Sequence, residues 1–156
     1  MEVQIRNCTE EDLIRVTEIE DLSFDDPYPY RLFQAFLIDL PDGFRVAIVG
    51  DRLVGYCILS HSGEPQSLMI SSIAVHPDFR NHGTGEKLLA DSMRIARELS
   101  ALIRIKKIVL QVASTNAPAQ TLYHKFGFRF VSTLRDYYGK NRDGIQMQLD
   151  LENSRQ

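Results

Sequence analysis

Cysteine is scarce in this 156-residue sequence, which holds only Cys8 and Cys57. Each lies in an apolar run that resembles a strand, so we interpret both as small buried hydrophobic residues. A Cys8–Cys57 disulfide is the less favoured alternative. The sequence has four histidines, and none of them shows the paired His/Cys spacing that indicates a structural zinc site. We therefore expect neither a disulfide framework nor a metal.

Long hydrophobic runs and an excess of basic charge are also missing. No stretch approaches the roughly 20 apolar residues that span a bilayer, and no basic region with an apolar signal core stands at the N-terminus. The net charge of -3 provides no electrostatic footprint for nucleic acid. We expect a cytoplasmic protein that binds neither membranes nor nucleic acid.

Repeats, low-complexity tracts and long linkers are absent, which argues against a second domain. A length of 156 residues with 44% hydrophobic content is enough to build one sizeable core. We predict a single domain over residues 1–156.

Strand and helix signals alternate along the chain. Strand-like patterns cover residues 3–6, 44–49, 53–60, 68–75, 108–112, 128–131 and 145–151, and helical patterns follow Thr9, cover 32–40, start near Lys87 and follow Asn116. The order β-α-α-β-β-β-α-β-α-β-β predicts an α/β (α+β) fold with a mixed sheet of about seven strands and four helices on its two faces. The third helix should join two parallel strands, because a right-handed crossover is the usual connection of that length.

Glycines stand at the start of the third helix, where residues 80–85 read Arg-Asn-His-Gly-Thr-Gly. Free N–H groups at a helix start, together with the helix dipole, attract phosphate, and glycine lets the backbone approach it closely. Arg80 adds a charged donor. The R-x-x-G-x-G spacing matches neither a Walker P-loop nor the dinucleotide fingerprint. Taken alone, such a glycine pair is more often a plain turn.

A second group of residues follows the next strand. Asn116 is placed to cap the fourth helix, and Tyr123 lies seven residues later, two turns along the same helix face. Gly127 marks the end of this helix. Taken alone, Tyr123 is more simply a half-buried aromatic residue on an amphipathic helix.

Together the two groups resemble the GNAT superfamily of acetyl-CoA-dependent N-acetyltransferases. The R-x-x-G-x-G loop follows a strand ending in Ile-Ala-Val, and Asn…Leu-Tyr-x-x-x-Gly-Phe follows the next strand. The resemblance covers nearly the whole chain. It points to the RimI-like and archaeal Ard-type protein N-terminal acetyltransferases, because the loop at residues 26–30 and the Tyr137-Tyr138 hairpin are similar to their substrate loops.

The resemblance implies a role for each matching position. The Ile73 N–H would polarise the thioester carbonyl of acetyl-CoA, and Tyr123 would protonate the departing thiolate. The implied acetyl-CoA contacts are Ile73, Ala74, Val75, Arg80, Asn81, His82, Gly83, Thr84, Gly85, Asn116, Tyr123, His124 and Lys125. The implied acceptor contacts are Asp26, Tyr28 and Tyr138. Asp26 could orient the amine or a water, or only solvate and cap its own loop.

Gln111 departs from the family pattern. RimI-like relatives carry a glutamate or histidine there, proposed as the general base, and an amide cannot take up a proton at neutral pH. Either an ordered water acts with another group, or no strong base is needed, or the protein binds acetyl-CoA without efficient turnover. At pH 7 an α-amine costs about 1 kcal/mol to deprotonate and a lysine about 4.6. A site without a strong base therefore favours α-amines.

The leading prediction is acetyl transfer from acetyl-CoA to the N-terminal α-amine of proteins or peptides, by direct attack of the amine on the thioester. One alternative is an acetyltransferase for a small-molecule amine or for lysine, which would share every cofactor residue. The other is a non-catalytic acetyl-CoA-binding module, suggested by Gln111. The sequence identifies neither an auxiliary subunit nor a homodimer contact.

Overall fold

The structure is a computed structural model that describes residues 2–151. Met1 and residues 152–156 of the predicted domain lie outside the described residues. The strands of this part of the chain are β1 (Gln4–Asn7), β2 (Phe44–Val49), β3 (Arg52–His61), β4 (Ser67–Val75), β5 (Lys107–Ala113), β6 (Arg129–Leu134) and β7 (Gly144–Asp150). Its α-helices are α1 (Leu13–Ser23), α2 (Tyr30–Asp39), α3 (Thr84–Ile103) and α4 (Ala117–Lys125).

The strands form one sheet in the order β1-β2-β3-β4-β5-β7-β6. Neighbours are antiparallel except β4 and β5, which are parallel and are joined by α3. The predicted order of elements and the parallel pair are confirmed. Because both parallel strands end at the same edge of the sheet, the segments that open α3 and α4 are brought to that edge.

Several predicted boundaries differ from the structure by one to three residues, among them the start of α3 at Thr84 instead of near Lys87, and two of the differences have a clear physical reason. The second helix was placed over residues 32–40, but α2 begins at Tyr30, directly after Pro29. A proline restricts the residue that precedes it and leaves the following residue free to be helical. The sixth strand was placed over residues 128–131, but β6 runs from Arg129 to Leu134. Its second half is polar because β6 is an edge strand, so the hydrophobic pattern did not reveal it.

The core has two parts, one on each face of the sheet. Tyr56 and Ile58 of β3 pack with the α1 and α2 side chains, whereas Cys57 and Leu59 pack with those of α3. This alternation is what a strand buried on both faces requires. Helices therefore cover both faces, as predicted.

Cys8 and Cys57 are both buried and both free, which confirms the interpretation as small hydrophobic residues. Burial raises the pKa of the Cys57 thiol to about 12. None of the helices within residues 2–151 is long and apolar enough to cross a membrane.

Candidate active site

A wedge opens between β4 and β5. The two strands pair in register only from Ser67 with Lys107 to Met69 with Val109, although each strand continues beyond these pairs. A β-bulge at Ser71 follows, because Ile58 and Leu59 of β3 lie opposite Ser72 and Ile70. Bulges bend a strand and increase its twist, which accounts for the divergence of β4 from β5. The wedge ends where α3 and α4 begin.

The β4 edge offers backbone groups to this wedge. The His76 N–H donates to the Val54 carbonyl of β3 at 2.7 Å. Backbone groups of alternate residues face the same side of a strand, so Ala74 also faces β3, while Ile73 and Val75 face the wedge. Of the three implied contacts on β4, the backbone of Ile73 and the Val75 N–H face the wedge, whereas the Val75 carbonyl already accepts a bond from Arg80 and the Ala74 backbone faces β3.

The Arg80 guanidinium lies across the end of β4. Its Nε donates to the Val75 carbonyl at 2.9 Å, and its Nη2 donates to Ser23 Oγ of α1 at 3.2 Å. In this arrangement the side chain binds the protein's own backbone. The Arg80 side chain therefore ties residues 80–85, which we call the phosphate loop, to α1 and to β4.

The start of α3 has the features of an anion site. Within residues 2–151 the N–H groups of residues 81–86 have no hydrogen-bond partner, and the first bond of the helix is from the Lys87 N–H to the Gly83 carbonyl at 3.0 Å. Gly83 has φ +79°, and a Cβ built on it meets no atom within 4 Å. Thr84 Oγ1 is buried without a partner in the same part of the chain. These donors and this open space fit the pyrophosphate of acetyl-CoA.

The C-terminal end of α4 lies beside the start of α3. Lys125 of α4 forms an ion pair with Glu86 of α3 at 2.5 Å, so the two sequence groups meet across the wedge. Asn116 caps α4, because its Oδ1 accepts the Ala119 N–H at 3.2 Å. Its amide NH₂ makes no hydrogen bond to the part of the chain that the structure describes. His82, just before α3, and His124, in the last turn of α4, are both exposed.

Tyr123 is buried on α4, with 6% of its surface exposed. Its ring packs edge-on against Phe128, with a centroid distance of 5.9 Å. No residue in the described range 2–151 makes a hydrogen bond with its hydroxyl. Burial, with smaller contributions from Cys57 and Tyr138, raises the pKa of Tyr123 above its ordinary value. The hydroxyl therefore stays protonated and has no competing partner in this part of the protein.

Tyr28 lies near two tyrosines, Tyr137 and Tyr138, from the other end of the chain. We call residues 25–29 the acceptor loop and residues 135–143 the tyrosine turn. Tyr137 and Tyr138 pack edge-on at 4.9 Å, and both rings contact the position where a Gly144 side chain would stand. Burial, followed by the influence of Tyr137 and Tyr28, raises the pKa of Tyr138 to about 12.

An ion pair spans the gap between the acceptor loop and the tyrosine turn. Arg142 of the turn lies 3.7 Å from Asp25 of the loop, and both side chains are exposed. Exposed pairs of this kind contribute little to stability, but the distance shows that the two segments face each other. Asp26, the residue that the sequence singled out, is also exposed on the acceptor loop.

Gln111 lies on β5, two residues before the strand ends at Ala113. Leu110 and Val112 belong to the core on the α3 side, so Gln111 faces the α1/α2 side. Its register partner on β7 is Gln146. Both glutamines are half-buried. This pair of strands thus holds two amides side by side, neither of which takes up a proton at neutral pH.

Sequence reasoning missed Glu20 of α1. Only 2% of this residue is exposed, and its carboxylate accepts hydrogen bonds from Tyr56, Ser72 and the Tyr28 backbone. A signal was present, because Glu20 lies four residues after Val16 and seven after Leu13, on the buried stripe of α1. A charged residue on that stripe needs partners.

The described residues contain no group of three or more His, Cys, Asp or Glu side chains placed to hold a metal ion. The site consists of a wedge edged by β4 backbone groups and a helix start with free N–H groups, with Tyr28, Tyr137 and Tyr138 near one another. Chemically, such a wedge can take up an extended chain and the helix start can take up an anion.

Comparisons with known proteins agree with this geometry. The profile of the acetyltransferase (GNAT) family matches residues 11–128. The N-alpha-acetyltransferase of Sulfurisphaera tokodaii is 32% identical, with 96% of this chain and 94% of that protein covered. N-alpha-acetyltransferase RimI of Mycobacterium tuberculosis is 33% identical, with 87% and 84% covered. The crystal structure of Ard1 from Thermoplasma volcanium superposes with a TM-score of 0.86 at 25% identity, with 96% and 98% covered.

Proposed function

The chain belongs to the acetyltransferase (GNAT) family, and we propose that it transfers the acetyl group of acetyl-CoA to the α-amine at the N-terminus of a protein or peptide. Relatives that match almost its whole length are named N-alpha-acetyltransferases. Acetyl-CoA supplies the acetyl group as an activated thioester. The residues of this chain bind it, orient the acceptor and handle the protons.

The donor side of the proposal rests on the β4 edge and the α3 start. The Ile73 N–H faces the wedge and is placed to donate to the thioester carbonyl oxygen, which gains negative charge as the amine attacks. The N–H groups of residues 81–86 are placed to hold the pyrophosphate. Asn116 and Lys125 flank the wedge from α4.

Tyr123 is the residue proposed to interact with the sulfur of CoA as it leaves the acetyl group. Complete proton transfer from a phenol with a pKa of about 10 to a thiolate with a pKa of about 8.5 costs roughly 2 kcal/mol. The raised pKa of Tyr123 increases that cost. Hydrogen-bond donation to the thiolate as charge develops there is therefore the better description of its role, and its unpaired hydroxyl is suited to it.

The observation that carries the acceptor class is the slot between the acceptor loop and the tyrosine turn. Tyr28 and Tyr138 form apolar walls with polar tips, which suit the backbone of the first residues of a chain. Gln111 and Gln146 lie on the same side of the sheet and supply no base. An α-amine is largely protonated at pH 7 but costs only about 1 kcal/mol to deprotonate, whereas a lysine costs about 4.6.

Matched peptides test this proposal. One peptide carries a free N-terminus and no lysine, and its partner has the same sequence with a blocked N-terminus and one internal lysine. Mass spectrometry after incubation with acetyl-CoA should find the acetyl group on the first peptide only. Preferential modification of the lysine, or turnover of small amines alone, would contradict the proposal and favour the corresponding alternative.

A further inference from the structure

Glu20 connects four segments around the acceptor slot. Its Oε1 accepts hydrogen bonds from the Tyr56 hydroxyl at 2.5 Å and from Ser72 Oγ at 2.9 Å, and its Oε2 accepts the Tyr28 N–H at 3.0 Å. Tyr56 lies on β3, Ser72 on β4 and Tyr28 on the acceptor loop. One buried carboxylate of α1 therefore joins the loop to the strand that carries Ile73.

The bond to Tyr28 has no backbone substitute nearby. Pro27 and Pro29 have no N–H, so Tyr28 carries the one backbone donor of residues 27–29. That donor is given to Glu20. The Tyr28 ring then packs edge-on against Phe33 and Phe36 of α2, with centroid distances of 6.2 and 5.9 Å. The backbone bond and the ring contacts together fix where the Tyr28 side chain stands.

We propose that Glu20 is a positioning residue for the acceptor. By accepting the Tyr28 N–H and the Ser72 hydroxyl, it holds the acceptor loop at a fixed position relative to β4 and therefore relative to the Ile73 N–H. This inference rests on the proposed function, because it takes Tyr28 to be a wall of the acceptor slot. Ser72 stands next to Ile73 in the chain. The Glu20 carboxylate therefore links Tyr28, the wall of the acceptor slot, to β4 through Ser72.

The hydrogen bonds assign Glu20 to positioning and not to proton uptake. Both of its oxygens already accept bonds from the protein, and the group lies beneath the loop with almost no exposed surface. What the loop requires from this position is an acceptor for the Tyr28 N–H. The negative charge itself is not needed for that bond.

Glutamine and alanine substitutions separate these roles. In Glu20→Gln the amide oxygen can accept the Tyr28 N–H while the NH₂ group faces Tyr56 and Ser72, whose hydroxyls can rotate to accept. Glu20→Gln should therefore retain the anchor. Glu20→Ala removes it. Glu18→Ala is the matched control, since Glu18 lies on the same helix with an exposed side chain that, within residues 2–151, pairs with Arg15 alone.

The experiment measures amide hydrogen exchange at Tyr28 in the free protein, and peptide KM, kcat and acetyl-CoA Kd in the active enzyme. A hydrogen bond to a charged group is worth roughly 1.5–3 kcal/mol, so its loss changes an equilibrium constant by about 10-fold or more. Glu20→Ala should accelerate Tyr28 exchange and raise peptide KM by that factor, with acetyl-CoA Kd unchanged. Glu20→Gln and Glu18→Ala should stay close to the wild type.

Three outcomes would overturn the inference. The first is an unchanged rate of Tyr28 amide exchange in Glu20→Ala, and the second is an equal weakening of peptide and acetyl-CoA binding in that variant. The third is a loss of kcat in Glu20→Gln with an unchanged peptide KM, because this result would give the negative charge a role in the chemical step. If Glu20→Ala does not fold, Ser72→Ala and Tyr56→Phe each remove one partner of the carboxylate and should give smaller changes of the same kind. A wild type that acetylates no peptide would refute the proposed function and the acceptor role, while the exchange data would still decide whether the anchor exists.

Discussion

Gly83 provides the sharpest test of the phosphate site. It stands before α3 with φ +79° and ψ 9°, in the left-handed region. A side chain at this φ costs roughly 1–2 kcal/mol in a residue other than glycine. A Cβ at Gly83 would meet no protein atom within 4 Å. Gly83→Ala should therefore lower the free energy of unfolding by about that amount, with no added cost from a steric clash.

The effect of Gly83→Ala on binding should be larger. The open space beside Gly83 is where a phosphate must approach the N–H groups of residues 81–86, and a methyl group would hold it away. Loss of one hydrogen bond to a charged group is worth roughly 1.5–3 kcal/mol, so the Kd for acetyl-CoA should rise by about 10- to 150-fold. Titration calorimetry measures this change directly.

Gly50 provides the matched control. It lies in the hairpin between β2 and β3 with φ +62°, and a Cβ there also meets nothing within 4 Å. Gly50→Ala should lose similar stability in urea denaturation and keep the wild-type Kd. Equal Kd values for Gly83→Ala and the wild type, or equal weakening in both variants, would refute the assignment of the phosphates to the α3 start.

Three further predictions concern chemistry and the acceptor. Tyr123→Phe should lower kcat by about 10²-fold with little change in acetyl-CoA Kd or melting temperature, because the lost hydroxyl has no partner in residues 2–151; an unchanged kcat would remove Tyr123 from catalysis. Tyr28→Ala and Tyr138→Ala should each raise peptide KM in steady-state assays without altering acetyl-CoA affinity, and a selective loss of acetyl-CoA binding would argue against the slot. The wild-type rate should rise with pH up to about 8 as the α-amine loses its proton, and Gln111→Glu should increase activity most at low pH; a flat profile from about pH 6 to 9, with chemistry rate-limiting, would contradict a base-poor site.

Local sequence patterns predicted the elements well because each pattern reflects a local requirement. Gly50 has the positive φ of a tight hairpin, and Asn116 accepts the Ala119 N–H as a helix cap. The phosphate loop could be found because helix starts and glycines bind anions by a general mechanism. The roles of Tyr123 and Ile73 came from the family resemblance, and they stay predictions until variants are assayed.

The features that the sequence did not reveal depend on contacts between distant residues. The bulge at Ser71 is defined only by the register of β4 against β3, so no single strand pattern contains it. Arg80 is predicted to contact an anion, and no sequence pattern indicated that its side chain also reaches Val75 and Ser23, which lie on other elements. Glu20 was passed over because its three partners are eight or more positions away in the chain.

The short pairing between β4 and β5 makes this sheet mechanically weak at its centre. Three registered pairs form the seam between a four-stranded half, β1 to β4, and a three-stranded half, β5 to β7. A cosubstrate bound along the β4 edge would fill the part of the wedge where β4 and β5 do not pair and would contact both halves of the sheet. At about 100 times its Kd such a ligand stabilises a fold by roughly 2.7 kcal/mol. The two halves would then respond to force or heat as one body when the wedge is filled, and more independently when it is empty.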